Sequence, residues 1–201
     1  MAFTRMKELQ QEEVAVIAEA LTKRQAALPQ RIKSMLLDLE SQVDGFSVNE
    51  LVHSLQTATR ALRAGASEEM IVAALCHDIG KVISIVNHGG IAAEIMKPYV
   101  SKETYAVIRT HTEFQARFYN GMVARDPNVC QKYAAEPWYD LACRFSDEWD
   151  ETSFDPDYDT LPLAHFEPMI ERVFALRLDG DYAANASAGS SHAAPRETAT
   201  F

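Results

Sequence analysis

Residues 70–81 read MIVAALCHDIGK, the most apolar helical segment of the chain. Ser67 is in place to cap it, and Glu68 and Glu69 fall in its first turn, where carboxylates favour the positive end of a helix. The pattern predicts a helix running to about Ile83. Ile71, Val72, Ala74 and Leu75 ask for burial, so the adjacent pair His77-Asp78 enters the interior with them. A buried carboxylate beside a buried imidazole costs several kcal/mol unless something positive compensates it. A divalent metal ion is the strongest candidate.

Outward from this segment, nearly every periodic stretch repeats at 3.6 residues per turn, and strand-like alternation is almost absent. Met6–Lys23 is amphipathic. Gln30–Gln42 carries Ile32, Met35, Leu36 and Leu39 at helical spacing, and Glu50–Ala64 continues the pattern up to Gly65. Beyond Ile83, Asn87-His88-Gly89-Gly90 opens a short helix to about Met96, before Pro98. Ser101 then caps a helix through about Tyr119. Pro137 suits the first turn of a helix over Trp138–Asp147, the polar stretch Glu148–Thr160 follows, and a last helix covers about Ala164–Leu178. The tail from Asp179 has too little apolar content to order itself. The expectation is an all-α helical bundle with a single domain over 46–178, two helices in 1–45 packed against it, and a flexible tail at 179–201.

With 201 residues the chain is long enough for one well-buried core. A hydrophobic share of 47% beside 24% charged residues is that of a globular protein. No apolar run reaches about 18 residues, and the first residues lack the apolar core of a signal peptide, so a cytoplasmic protein is expected. Cys76, Cys130 and Cys143 are an odd set without metal-finger spacing and read as reduced thiols. A net charge of −10 with no basic stripe argues against nucleic acid. It leaves room for a small anion, because the field in a pocket is set by the one or two cations nearest to it.

There are six histidines. Four of them, His53, His77, His88 and His111, fall on or at the starts of successive predicted helices, and His165 and His192 lie near the end. In this order the chain resembles the HD-domain superfamily, whose signature is a His on one helix, an HD pair on the next and an Asp on a later one. The match is His53, His77-Asp78 and Asp147. The two further histidines are the pattern of the dinuclear subgroup. The resemblance implies that Asp78 bridges two metals, that His53, His77 and Asp147 complete one site, and that His88 and His111 complete the other. Mixed imidazole and carboxylate ligands suit Fe, Mn or Zn.

Lys81 follows His77 by four, Gln115 follows His111 by four, and Arg144 precedes Asp147 by three, so each is expected to share a face with a ligand. Lys81 and Arg144 facing one cavity would clamp a phosphate or phosphonate.

The stretches His53–Gln56, Ala64–Met70 and Ala73–Gly80 look like the mixed-valent diiron HD oxygenases that cleave the carbon–phosphorus bond of 1-hydroxyphosphonates. The likeness runs from about Asn49 to Asp147. It implies two iron ions, Fe(II)/Fe(III), O₂ as co-substrate and an organophosphonate as substrate. The members acting on 2-amino-1-hydroxyethylphosphonate have a His where this chain has Lys81 and a Lys where it has Gln115. They also carry a Tyr ahead of the first ligand, and Gln42–Val52 has none. That shifts the expectation to (R)-1-hydroxy-2-(trimethylammonio)ethylphosphonate, with Phe46, Phe118, Tyr119, Trp138 and Tyr139 available to hold its quaternary ammonium. The HDIGK string is shared with phosphodiesterases of the superfamily, so a metal-dependent phosphohydrolase stands as the alternative. A ligand-binding sensor module is a third reading, which the full ligand set opposes.

Overall fold

The computed structural model describes residues 3–175. Among them are eight α-helices and no strand. These are α1 (Gln11–Ala26), α2 (Leu28–Asp38), α3 (Glu50–Arg63), α4 (Glu68–Cys76), α5 (His88–Met96), α6 (Lys102–Tyr119), α7 (Tyr139–Arg144) and α8 (Leu163–Val173). The expected all-α single-domain fold is the one observed. None of these helices is long and apolar enough to cross a membrane.

Local capping explains where several of them begin. Asn49, Ser67 and Ser101 each sit in extended backbone and accept the amide of the residue three further on, at the starts of α3, α4 and α6. α3 packs on α4 and α5 on α6, and α8 lies against α4. The shared interior holds Ile71, Leu75, Ile79, Phe114, Phe145, Trp149, Phe166 and Ile170, all buried. Each such side chain stabilises the fold by about 1.5–3 kcal/mol through the apolar surface it removes from water. α2 contributes Ile32 and Leu36 to the same core, and its Lys33 pairs with Glu167 and Glu171 of α8. α1 buries none of its residues.

Several boundaries differ from the sequence expectation. The predicted Met6–Lys23 helix divides into a 3₁₀ turn at Met6–Glu8 and α1, which continues to Ala26. α2 ends at Asp38 and closes with a 3₁₀ turn. α4 stops at Cys76 instead of running to Ile83. Asp78 takes φ −104°, ψ 2°, outside the α region, and a 3₁₀ turn follows at Ile79–Val82. The His-Asp pair therefore sits at a broken helix end, where its side chains turn into the bundle.

The predicted Trp138–Asp147 helix is α7 followed by a π-helical turn, Phe145–Asp150. That turn carries chain into the stretch expected to be non-helical. The expected end of α8 beyond Ala175, and the tail from Asp179, lie outside the described residues.

Candidate metal centre

Five elements converge on one point. α3 supplies His53, the end of α4 supplies His77 and Asp78, the first residue of α5 is His88, α6 supplies His111, and the π turn supplies Asp150. His53, His77, Asp78, His111 and Asp150 are buried, and the side chain of His88 is 13% exposed. Three groups have ligand atoms close enough to share an ion: His53, His77 and Asp150; His77, Asp78 and His111; and Glu50, His53 and Asp78.

The imidazoles are all oriented the same way. Nδ1 of His53 lies 3.0 Å from the Ser153 carbonyl, His77 Nδ1 2.7 Å from that of Ala74, His88 Nδ1 2.7 Å from that of Ile85, and His111 Nδ1 2.8 Å from that of Ile108. A carbonyl only accepts, so each Nδ1 donates and Nε2 is the nitrogen that each ring offers to a metal once it is neutral. Those Nε2 atoms face one another. His53 Nε2 is 3.1 Å from His77 Nε2, and His88 Nε2 is 3.1 Å from His111 Nε2. Two nitrogens held about 2.0–2.1 Å from one cation stand roughly 3.0–3.4 Å apart, so each pair has the spacing of ligands on a shared ion.

Asp78 lies between the two pairs. Its Oδ1 is 3.1 Å from His88 Nε2 and 3.5 Å from His111 Nε2. Its Oδ2 is 3.3 Å from His77 Nε2 and 3.7 Å from His53 Nε2. Asp150 Oδ1 adds to the second group, 3.2 Å from His53 Nε2 and 3.5 Å from His77 Nε2. Asp78 Oδ1 and Asp150 Oδ1 are both buried with no hydrogen-bond partner. Orphaned oxygens beside facing Nε2 atoms are arranged for cations. The cluster could thus hold metal, and its donors fall into two sets: His53, His77 and Asp150 lie around one oxygen of Asp78, and His88 and His111 around the other.

The expected ligand Asp147 is corrected by this geometry. It pairs with Arg117 at the surface, and Asp150 occupies the place foreseen for it. The π turn is the reason: it buries Phe145, Ser146, Trp149 and Asp150 and leaves Asp147 and Glu148 outside. The spacing of Ala142, Phe145 and Trp149 marks the buried face and was the available signal.

Arg144 is corrected with it. Its guanidinium binds Glu148 at 3.1 Å, donates to the Ala64 carbonyl at 3.3 Å and lies over Trp149, away from the cluster. Gln115 does point inward, but onto a ligand, donating to Asp150 Oδ2 at 2.6 Å.

Lys81 does stand at the centre. Its ammonium lies 2.8 Å from Asp78 Oδ2 and 2.7 Å from Oε2 of Glu50, a buried carboxylate that sequence reasoning passed over although it precedes His53 by three on α3. Burial works against the charged form of Lys81, but Asp78 and Glu50 outweigh it and hold the ammonium protonated, above its usual range. Glu50 is pushed up by burial and by Asp78, against the pull of Lys81. Burial and the neighbouring charge of His77 hold His111 below the usual histidine value, which keeps its Nε2 a donor to metal. Cys76, directly before the pair, is fully buried and its thiol is pushed up to about 12 by desolvation, so it stays an inert thiol.

Phe154 lies flat on the His53 ring, centroids 4.3 Å apart, and Phe46 stacks on Phe154 at 4.4 Å. Of the five aromatic residues named from sequence, Phe46 adjoins the centre in this way. Trp138 and Tyr139 pack around Phe114 instead, and Phe118 and Tyr119 are exposed.

A comparison with curated proteins returned no match. The HD domain model matches residues 51–155, a span that holds His53, the His77-Asp78 pair, His88, His111 and Asp150. Such domains are typically metal-dependent enzymes, and the cluster described above is a possible metal site of that kind. The match covers more than half of the chain, which therefore belongs to the HD domain family.

Proposed function

We propose that this HD domain holds two iron ions in a mixed-valent Fe(II)/Fe(III) pair and cleaves the carbon–phosphorus bond of a 1-hydroxyphosphonate with O₂. The substrate is (R)-1-hydroxy-2-(trimethylammonio)ethylphosphonate, and the products are glycine betaine and phosphate. The balance closes without another reductant, since one oxygen atom of O₂ is needed for the carboxylate and one for the phosphate. The observation that carries the reading is Asp78, whose two oxygens each face a different pair of imidazoles. Four nitrogen and two carboxylate ligands suit iron, and bound iron supplies the redox and Lewis-acid chemistry of the cleavage.

The chain's own residues account for orientation and charge. Asp78, Asp150 and Glu50 against Lys81 leave two negative charges, fewer than two iron ions carry, so the loaded centre attracts an anion. Lys81, held between Glu50 and Asp78, keeps Oδ2 of Asp78 in place and presents its remaining N–H to an anionic group. The exposed face of Phe46, outermost of the Phe46–Phe154–His53 stack, supports a quaternary ammonium, which donates no hydrogen bonds and gains about 0.5–2 kcal/mol over an aromatic ring.

The test is anaerobic purification followed by iron analysis, EPR and assay. Iron in a mixed-valent pair, with O₂ uptake matched by phosphate release from the hydroxyphosphonate, is the expected result. Phosphoester turnover under nitrogen would overturn it in favour of a phosphohydrolase.

A further inference from the structure

The second half of the centre, His88 with His111, is built against two glycines whose missing side chains are occupied by the ligands themselves. A Cβ on Gly80 would lie 2.2 Å from the carbonyl oxygen of His88, 2.7 Å from its Cα and 2.8 Å from its carbonyl carbon. All three are backbone atoms, with no rotamer to yield, so a side chain there displaces the start of α5. A Cβ on Gly89 would lie 2.9 Å from Cε1 and 3.1 Å from Nδ1 of His111, and 3.3 Å from the Ile108 carbonyl that accepts the His111 Nδ1–H. That contact presses on the ring and on the hydrogen bond that orients it.

The first half is anchored elsewhere. His53 and His77 are oriented by the carbonyls of Ser153 and Ala74, and Asp150 by Gln115, none of which is among the three atoms nearest to a Cβ on either glycine.

We infer that Gly80 and Gly89 are positioning residues that set the nuclearity of the centre: their bare backbones admit His88 and His111, and a methyl group at either position turns a two-metal site into a one-metal site. The inference rests on the two-metal reading above. Gly90 supplies the control within the same helix, because a Cβ there meets nothing closer than the end of the Arg109 side chain at 3.4 Å.

The experiment compares wild type, Gly80→Ala, Gly89→Ala and Gly90→Ala after reconstitution with Fe(II) or Mn(II). Metal per chain is counted by elemental analysis, and helicity is followed by circular dichroism in the metal-free state. The expected result is two metals for wild type and Gly90→Ala, and one for Gly80→Ala and Gly89→Ala, with helicity unchanged. Mn(II) EPR should show the coupled pair replaced by an isolated ion. A single metal in wild type would remove the two-metal reading itself. Two metals in wild type and in both Gly80→Ala and Gly89→Ala would overturn this inference alone. Loss of helicity in Gly89→Ala but not Gly90→Ala would also overturn it, since the damage is held to be confined to the second pair of ligands.

Discussion

Gln115 donates its side-chain amide to Oδ2 of Asp150 at 2.6 Å, leaving Oδ1 of the same carboxylate buried, unpartnered and turned toward His53. One oxygen is anchored by the protein and the other is free for an ion. Removing the anchor in Gln115→Ala is expected to weaken binding at the first metal position by about 10–100-fold, the usual cost of losing the partner of a ligating carboxylate. Gln115→Glu should be worse, because it sets a second carboxylate against Asp150. Competition against a chelator of known affinity measures both, and an unchanged affinity in Gln115→Ala would mean that the contact is incidental.

Asp147 and Asp150 lie three residues apart on opposite faces of the π turn and should behave oppositely. Asp150→Ala removes a ligand and is expected to abolish binding at the first position while His88 and His111 keep theirs. Asp147→Ala breaks a partly exposed pair with Arg117, worth under about 1 kcal/mol, and should leave metal content intact. Metal analysis of the two variants side by side settles which aspartate serves the centre.

The exchange of Asp147 for Asp150 shows where sequence reasoning reached and where it stopped. The caps at Ser67 and Ser101 and the histidine positions are local features, readable from neighbours a few residues away. Whether a helix turn has α or π spacing is not local. It depends on Phe145 and Trp149 both seating in the core, which rotates Asp147 outward and Asp150 inward. The break of α4 at Asp78 has the same origin, since the side chain's tertiary partners override an uninterrupted apolar pattern. Glu50 was legible only as a charge on a predicted helix. Its importance appears once Lys81 arrives from another segment.

That Glu50–Lys81 contact is a buried ion pair, and such pairs are costly to break on one side only. Lys81→Met strands the Glu50 carboxylate against Asp78 and is expected to cost about 3 kcal/mol of stability in the metal-free protein. Glu50→Gln combined with Lys81→Met should cost clearly less than the two single changes added together, because neither charge is then left alone. Urea titrations of the four proteins give the coupling directly, and strict additivity would show that the pair contributes nothing.

The sharpest pH dependence is expected at His77. In the metal-free protein burial disfavours its imidazolium, but the carboxylates of Asp78 and Asp150 outweigh burial and hold the ring well above its ordinary value of 6.5. A proton then stands where a metal would. A raised folded-state value stabilises the metal-free chain fully below about 6.5 and ceases to do so as pH rises through the raised value. Asp78 and Asp150 run the other way. Burial pushes them up, but the neighbouring histidine charge wins and holds both below the ordinary carboxylate value, so their contribution is present above about 3.8 and lost on acidification. Metal must displace the His77 proton, so affinity should rise with pH, with proton release on binding. The melting-temperature gap between metal-loaded and metal-free protein should widen as pH rises above about 6.5 and through the raised value, as the metal-free chain loses the His77 contribution and the loaded one does not. Calorimetry in buffers of different ionisation enthalpy counts the released protons. A binding heat that does not depend on the buffer would exclude a proton at His77 as the metal's competitor.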